Sequence, residues 1–411
     1  MINPALAAKP AVPEEHPVSV QLENEGRVAL RWLATDSAVQ AALADLATQP
    51  CIAIDTEFVR ENTYFPQPGL VQLRAATGPI YLLDPLSINC QRHLSPLLTD
   101  PRITKVLHAA SEDLQVLHRM TGVVPANVYD CQIAAAFANL GEGLGLHRLL
   151  EVLFDISLPK DETRSDWRAR PLSQRQLRYA ALDVAYLAQV YQTLNARLHG
   201  SHKAAWNAAE NKRLATAPEP AQCYRRIKGH ERLSTVAQGR LQRLAGWRET
   251  TARELDIPKT RIVRDGPLTE IARQPTVTKN TLRQAGLHPQ SIRKFAEPLI
   301  DIHQRSSQEL GQDPDNRNGH EQAAGHSAAR PLSRKLASAK LPVLQSIVAD
   351  KAAALELPAS LLASRRELEA LLSYFQALQD GNKDPELPQS LCGWRQEVIG
   401  DDLLELLKIP T

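Results

Sequence analysis

The sequence predicts an α/β domain, in which a mixed sheet is flanked by helices, followed by two all-helical domains. Over residues 27–205, short apolar runs typical of strands alternate with helical patterns, whereas later apolar residues recur at three- and four-residue spacings. The length of 411 residues agrees with several domains, because one domain usually contains roughly 100–200 residues.

The first block begins with strand signals. Residues 27–32 alternate between apolar and polar side chains, and residues 36–46 have helical spacing. Three short apolar runs follow at 51–54, 70–73 and 80–83, separated by the breakers Pro68-Gly69 and Gly78-Pro79. This succession predicts an antiparallel meander of three strands.

Strands and helices alternate in the rest of this block. The predicted strands are 103–107 and 128–129, and the predicted helices are 111–120, 132–139 and 173–198. A meander followed by alternating units implies both antiparallel and parallel pairs, and therefore a mixed sheet.

The rest of the chain contains two similar helical patterns. An apolar stripe and a helix-breaking proline occur as Leu241, Leu244 and Pro258 in residues 206–305, and as Leu341, Leu344 and Pro358 in residues 336–411. The similarity predicts an internal duplication of a small helical bundle. Residues 1–26, rich in proline and glutamate, are expected to form a flexible leader, and the polar residues 306–335 a linker.

The net charge of +2 conceals a strong asymmetry between the blocks. Residues 27–205 hold 17 basic and 17 acidic residues, residues 206–305 hold 19 and 10, and residues 306–411 hold 11 and 15. The middle block therefore carries +9, which is the charge expected of a domain that binds the phosphate backbone of nucleic acid. The alternative is a basic helical domain without such a partner.

The composition favours a cytoplasmic protein without a membrane span. No apolar stretch approaches the roughly 18–20 residues that a span requires, and the chain does not begin with a basic segment followed by an apolar one, as a signal peptide would. The five cysteines are scattered and form no Cys-x-x-Cys pair, which fits reduced thiols and argues against a zinc site.

Asp55 and Glu57 follow a buried apolar run and are separated by one residue. Because side chains alternate along a strand, both carboxylates face the same side. Hard cations such as Mg²⁺ and Mn²⁺ prefer oxygen ligands and compensate the charge of two adjacent acids. Taken alone, the pair is also compatible with a solvated strand end.

Two further segments supply polar groups. Asp113 follows the predicted strand at 103–107, and Tyr179 and Asp183 lie four residues apart in a helical pattern, on one face. The alternatives are a first-turn acid for Asp113 and, for the helix, a half-buried tyrosine beside an Asp–Arg pair. Together, four carboxylates and one phenol suit phosphodiester hydrolysis with two metal ions, and the set lacks the nucleophile of covalent catalysis.

Six motifs within residues 27–205 follow one another in an order typical of a known family. They are Ile54-Asp55-Thr56-Glu57-Phe58, Gln67-Pro68-Gly69-Leu70-Val71-Gln72-Leu73, His108-Ala109-Ala110-Ser111-Glu112-Asp113, Asp130-Cys131-Gln132-Ile133-Ala134, Ser165-Asp166-Trp167-Arg168-Ala169-Arg170-Pro171-Leu172 and Tyr179-Ala180-Ala181-Leu182-Asp183. In these motifs the sequence resembles ribonuclease D, of the DEDD superfamily of 3′→5′ exonucleases. Tyr179, in place of a histidine five residues before Asp183, indicates the tyrosine subclass.

The resemblance implies a ribonuclease-H-like fold and an exoribonuclease, and we expect the chain to act as a monomer. Such an enzyme releases nucleoside 5′-monophosphates from the single-stranded 3′ ends of RNA, with tRNA precursors as the usual substrate. The implied catalytic residues are Asp55, Glu57, Asp113, Tyr179 and Asp183, of which the four carboxylates hold two divalent ions, Mg²⁺ or Mn²⁺, and Tyr179 positions the attacking water. The two helical blocks resemble paired HRDC domains, closely in 206–305 and more weakly in 336–411.

Predicted substrate contacts are Phe58, Gln72, His108, Lys160 and Arg164. For Phe58 the alternative is a place in the core, for Lys160 and Arg164 a solvated loop, and for His108 a hydrogen-bonded position beside the site, which is favoured over metal ligation.

Three other functions use some of the same features. A proofreading DNA exonuclease has the same acids, but the chain contains no polymerase-sized region. A nucleic-acid-binding scaffold with vestigial acids is disfavoured, because all five residues are present. A helicase is disfavoured because no Gly-x-x-x-x-Gly-Lys-Ser/Thr motif occurs.

Overall fold

The computed structural model describes residues 19–23, 25–159, 165–214, 220–230, 233–312, 332–379, 387–388 and 391–407. The chain divides into two compact units, of which the first contains Met1–Glu61 and Phe65–Thr216 and the second contains Asn62–Tyr64 and Ala217–Thr411. Within these described ranges, no helix is both long and apolar enough to cross a membrane.

A seven-stranded sheet forms the centre of the first unit, as far as the described residues show it. Its strands are β1 (Ser19–Leu22), β2 (Gly26–Leu33), β3 (Cys51–Val59), β4 (Gln67–Arg74), β5 (Ile80–Leu83), β6 (Thr104–Leu107) and β7 (Val128–Asp130), in the spatial order β1-β2-β5-β4-β3-β6-β7. The predicted meander is present, since β3, β4 and β5 pair antiparallel. β6, β7 and β2 add parallel pairs, so the predicted mixed sheet is confirmed.

Helices cover both faces of this sheet. They are α1 (Asp36–Leu46), α2 (Cys90–Thr99), α3 (Ser111–Thr121), α4 (Cys131–Phe137), α5 (Leu146–Phe154), α6 (Gln174–Ala185), α7 (Leu187–Leu198) and α8 (His202–Leu214). On one face, Ile52 and Ile54 of β3 and Leu73 of β4 belong to an apolar core that includes residues of α1, α2 and α3. On the other, α6 packs against β3 and β4. The sheet therefore presents one apolar face and one face that is available for polar groups.

The predicted helix over 173–198 is wrong in one respect, because two helices occupy this range and meet at Tyr186. Its side chain is buried, and its hydroxyl accepts a hydrogen bond from the backbone N–H of Glu23 at 3.2 Å. At the end of α6, the guanidinium of Arg74 donates to the carbonyl oxygen of Ala185. This bond satisfies a carbonyl that a helix end leaves without a partner, so the break is stabilised from distant parts of the chain.

Two segments expected to be irregular contain regular structure. Within 1–26, Ser19–Leu22 forms β1 and pairs antiparallel with β2. Within 306–335, the first residues continue a helix that ends at Gln312, and Ser306 is fully buried there. Short polar stretches of this kind carry no apolar period of their own, so their structure depends on the elements against which they pack.

The second unit is helical in the residues described. Its helices are α9 (Thr235–Glu254), α10 (Lys259–Ile262), α11 (Asp265–Arg273), α12 (Lys279–Gln284), α13 (Pro289–Gln312), α14 (Arg334–Ala354), α15 (Ala359–Leu362), α16 (Arg365–Gln379) and α17 (Asp401–Leu407). Pro258 is the N-cap residue of α10, and Pro358 is the N-cap residue of α15. Each proline follows a long helix and a residue with positive φ, Asp256 in one case and Glu356 in the other. This repetition agrees with the predicted duplication.

Candidate active site

Strand β3 places two acids on one face of the sheet. Asp55 and Glu57 are two residues apart on this strand, and β4 pairs with it residue by residue up to Glu57. The register then shifts between Glu57 and Phe58, as it does at a β-bulge. Bulges turn the strand locally and re-aim its side chains, so Glu57 stands at the irregularity and Asp55 two residues before it, in regularly paired strand.

Helix α6 brings a phenol and a third acid to the same face. A capping box at Ser173 fixes where this helix begins, because the Ser173 and Gln176 side chains each accept a hydrogen bond from the other residue's backbone N–H. One helical turn separates Tyr179 from Asp183, and the phenol hydrogen-bonds to that carboxylate.

Carboxylate oxygens of Asp55, Glu57 and Asp183 lie within 4.8 Å of one another. Three oxygen ligands at such distances suit a hard divalent cation such as Mg²⁺ or Mn²⁺, and the cluster offers neither thiolate nor imidazole for a softer metal. The donor set therefore fits the kind of ion that the sequence predicts.

Asp113 reaches the cluster from a different element, helix α3. One of its carboxylate oxygens accepts two hydrogen bonds from Thr56, from the backbone N–H at 3.2 Å and from the hydroxyl at 2.5 Å. Thr56 lies between the two acids of β3 and faces the opposite side of that strand. Strand β3 thus carries Asp55 and Glu57 on one face, and Thr56, which lies between them, binds Asp113.

The cluster strongly disfavours full ionisation of its carboxyl groups. Burial and the negative charges of Asp113, Asp183 and Glu57 raise the pKa of Asp55 well above its usual range. Burial, together with the charges of Asp183 and Asp113, raises the pKa of Glu57 to about 9. Burial raises the pKa of Asp113 and of Asp183 to about 7 each, against the effect of their hydrogen bonds from Thr56 and Tyr179. Bound cations would replace these protons and relieve the repulsion.

The ring of Trp167 packs against the ring of Tyr179. The buried Trp167 contacts Tyr179, with 6.1 Å between ring centroids. The backbone of Trp167 passes so close to Gly69 of β4 that a Cβ at Gly69 would stand 2.6 Å from the carbonyl oxygen of Trp167. Arg170 strengthens this contact, because its guanidinium donates to the carbonyl oxygen of Gly69 at 2.6 Å. The loop that carries Trp167 is therefore fastened to β4.

Asp130, an acid outside the predicted catalytic set, stabilises the turn that leads into α3. The buried carboxylate of Asp130 accepts hydrogen bonds from the backbone N–H groups of Ala109, Ala110 and Gln132 at 2.8–3.0 Å. Ala109 has a φ of 56°, which is strained for a residue with a side chain. Asp130 thus stabilises the turn from which α3, with Asp113, begins.

The predicted substrate contacts occupy different environments. Phe58 is half-buried beside the bulge, whereas Gln72 is fully buried. His108 is half-buried, and its Nε2 lies 2.9 Å from the carbonyl oxygen of Leu144, so the ring contacts the loop that precedes α5. Burial lowers the pKa of His108. Lys160 and Arg164 lie outside the described residues.

Sequence reasoning missed Thr56, Trp167 and Asp130 as supporting residues. Alternation along β3 places Thr56 on the face opposite the acids, and this pattern could have identified Thr56 as a supporting residue. Trp167 and Asp130 both stand in motifs quoted for the resemblance, but their contacts with Tyr179 and with the Ala109 turn join parts of the chain far apart in sequence.

A mixed sheet covered by helices, with acids from β3, α3 and α6 at one end, is the architecture of a 3′→5′ exonuclease domain. A family model described as 3′-5′ exonuclease matches residues 30–199. An HRDC domain model matches residues 237–302, and a model of the C-terminal HRDC domain of ribonuclease D matches residues 339–403.

Comparison with individual proteins is more specific. The chain is 35% identical to ribonuclease D of Pseudomonas paraeruginosa over 387 residues, which cover 92% of this chain and 98% of that protein. Identity to ribonuclease D of Escherichia coli is 34% over 387 residues, with the same coverage. The crystal structure of E. coli ribonuclease D, described as an exoribonuclease involved in structured RNA processing, matches with a TM-score of 0.76 over 92% of this chain and 98% of that one.

The chain belongs to the ribonuclease D family. It is an exoribonuclease, and so a phosphodiester hydrolase with a 3′→5′ exonuclease fold. The family implies a dependence on divalent metal, with which the acidic cluster agrees.

Proposed function

We propose that this protein trims RNA from the 3′ end, including the 3′ extensions of tRNA precursors, and releases nucleoside 5′-monophosphates with the help of two divalent cations. The observation that carries the proposal is the meeting of Asp55, Glu57, Asp113, Tyr179 and Asp183, which come from three elements, at one end of the sheet. The E. coli relative, described as acting in structured RNA processing, supports structured RNA as the substrate class.

The four carboxylates would hold the cations. Asp55, Glu57 and Asp183 are close enough to share one ion, and Asp113 is held beside them by Thr56. Bound Mg²⁺ or Mn²⁺ supplies Lewis-acid stabilisation of the charge on the phosphodiester and makes water a better nucleophile.

The protein's own groups orient the reactants. Burial and the negative charges of Asp183, Glu57 and Asp55 raise the pKa of Tyr179. The phenol therefore remains protonated at neutral pH. A neutral hydroxyl that hydrogen-bonds to Asp183, on a ring that contacts Trp167, can accept a hydrogen bond from the attacking water and direct it at the terminal phosphate. Phe58 is half-buried at the bulge, and its remaining exposure supports a role in stacking on the terminal nucleotide.

The basic block would supply affinity for the RNA backbone. Residues 206–305 carry +9, whereas 306–411 carry −4. Contacts to phosphate depend on this charge and provide affinity without sequence preference, which suits an enzyme that removes successive nucleotides. We place this activity in the cytoplasm and in a monomer, as the sequence predicts.

The test uses the full-length protein and a 5′-labelled tRNA precursor with a 3′ extension. With Mg²⁺ or Mn²⁺, we expect a ladder that shortens one nucleotide at a time, and nucleoside 5′-monophosphates as products. Asp183→Asn should abolish the ladder while its circular dichroism stays that of the wild type. Full activity in excess EDTA, or the release of internal fragments, would contradict the proposal. A DNA strand of the same sequence, run alongside, distinguishes an RNA exonuclease from a DNA exonuclease.

A further inference from the structure

Gln72 is a polar residue in the middle of an otherwise apolar strand. Leu70, Val71 and Leu73 of β4 surround it in sequence, and all four side chains are completely buried. Neither the amide nitrogen nor the amide oxygen of Gln72 has a hydrogen-bond partner among the described residues. A buried amide without partners destabilises a fold, so its presence needs an explanation.

The position of Gln72 is fixed by the sheet. Gln72 of β4 is paired with Asp55 of β3. Side chains of paired residues lie on the same face with their Cβ atoms about 4.5–5.5 Å apart. The nearest side chain across the strand pair is thus an acid of the metal cluster, and β4 lies away from solvent at this point.

Helix α6 covers the same face. Two residues beyond Gln72, Arg74 points to this side as well, and its guanidinium donates to the carbonyl oxygen of Ala185 at the end of α6. Asp183 lies two residues before Ala185 on that helix. Gln72 is therefore enclosed between Asp55 and the helix that carries Asp183 and Tyr179.

Two simpler roles do not account for this residue. A substrate contact, expected from the sequence, requires exposure, and the side chain of Gln72 has none. A packing role requires no amide, because leucine or methionine fills a similar volume without buried polar atoms.

We propose that Gln72 is a positioning residue for Asp55, whose carboxylate accepts a hydrogen bond from the Gln72 amide when divalent cations occupy the cluster. The inference rests on the proposed function. Carboxylates that ligate metal are themselves hydrogen-bonded, and loss of such a partner typically reduces affinity or activity about 10- to 100-fold. Gln72 itself touches neither substrate nor cation.

The test compares Gln72→Met with Tyr129→Phe in the full-length protein. Tyr129 of β7 is a matched control, because its buried hydroxyl also has no hydrogen-bond partner in the part of the chain that the structure describes. In EDTA, both substitutions should raise Tm, since each removes a buried unpaired polar group. Only Gln72→Met should lower kcat, by about 10- to 100-fold, with an unchanged KM for RNA. It should also reduce the rise in Tm that Mn²⁺ produces.

The inference is overturned if Gln72→Met keeps both the wild-type kcat and the wild-type rise in Tm with Mn²⁺. Gln72→Asn provides a second variant, because it keeps a buried amide but shortens its reach, and it should lose the same activity without the gain in Tm. Failure of the proposed function looks different, since the wild-type protein itself would then show no metal-dependent shortening of RNA.

Discussion

Thr56 donates two hydrogen bonds to one carboxylate oxygen of Asp113, from its backbone N–H at 3.2 Å and from its hydroxyl at 2.5 Å. These bonds join the strand that carries Asp55 and Glu57 to the helix that carries Asp113. A single buried residue, 5% exposed, thus fixes the distance between acids that the chain separates by more than fifty positions.

Thr56→Val should impair both stability and activity. Valine keeps the β-branched shape but removes the hydroxyl donor. Above its pKa of about 7, Asp113 is a charged acceptor, and loss of a hydrogen bond to a charged group costs about 1.5–3 kcal/mol. We expect a lower Tm and a kcat reduced about tenfold, because Asp113 is no longer held in place. Thermal unfolding and single-turnover RNA shortening measure the two effects. Thr56→Ser retains the hydroxyl and should stay close to the wild type; equal losses in both variants would contradict this account.

Tyr179→Phe should separate catalysis from binding. The phenylalanine ring preserves the contact with Trp167 but removes the hydroxyl that we propose orients the attacking water, so kcat should fall by about 100-fold or more. KM for RNA and the rise in Tm with Mn²⁺ should remain as in the wild type. A kcat close to that of the wild type would remove Tyr179 from the mechanism.

Asp183→Asn should stabilise the protein in EDTA while it abolishes activity. The substitution removes a buried charge and relieves its repulsion with the neighbouring acids, and we expect a gain of roughly 1–3 kcal/mol above neutral pH. Urea unfolding at pH 8 in EDTA measures it. Exposed Asp402 provides a control, since Asp402→Asn should change stability little. A loss of stability in Asp183→Asn would show that repulsion does not dominate the cluster.

The same cluster predicts how stability depends on pH in EDTA. The pKa of Asp183 and of Asp113 is about 7 in the folded protein, above the ordinary value of 3.8, so the folded state binds more protons than the unfolded state between these values. The contribution of these groups to stability is therefore greatest below about pH 4 and declines as the pH rises to about 7. Tm measured across this window should show the decline more steeply in the wild type than in Asp183→Asn. Saturating Mn²⁺ should reduce it, and an identical pH profile for both proteins would contradict the assignment.

Gly69→Ala should reduce stability and activity by displacing Trp167, although Gly69 itself is not one of the proposed catalytic residues. An added Cβ would stand 2.6 Å from both the Cβ and the carbonyl oxygen of Trp167, and this overlap forces the loop that supports Tyr179 to move. We expect a loss of about 1–3 kcal/mol in the free energy of unfolding, and a lower kcat. Gly266→Ala is the control, because a Cβ there meets open space. Comparable effects of the two substitutions would show that the close approach to Trp167 is unimportant.

Charge neutralisation should map the surface that binds RNA. Arg293 and Lys294 are exposed on α13, and replacing both with glutamine should weaken RNA binding and reduce its salt dependence. The slope of log K against log salt should fall by roughly 0.7 for each phosphate of single-stranded RNA that the variant no longer neutralises. Lys335→Gln in the acidic last block should leave the slope unchanged. Equal slopes in all three proteins would exclude this helix from the RNA-binding surface.

Most of the proposed catalytic set follows from local geometry. Alternation along a strand places Asp55 and Glu57 together, and helical spacing does the same for Tyr179 and Asp183. These relationships hold between residues close in sequence, so the sequence predicts them without knowledge of the fold. Motif order added the family, and the ribonuclease D relatives confirm it.

The remaining relationships depend on residues that lie far apart. The end of helix α6 at Ala185 is stabilised by Arg74, which donates to the Ala185 carbonyl oxygen, and by Tyr186, which bonds to Glu23, and neither partner is local. Likewise, Ser306 reads as part of a polar linker but is buried within α13.

By itself, the sequence determined which residues are candidates for the chemistry, which pairs share a face and which blocks carry positive charge, because each of these properties is set by neighbouring positions along the chain. The tertiary structure alone decided what surrounds them. Thr56 hydrogen-bonds to Asp113, Trp167 contacts the ring of Tyr179, and Gln72 is paired with Asp55 across two strands. Strand register and helix packing bring these partners together, and both result from burying apolar surface across the whole sheet, which no local pattern specifies.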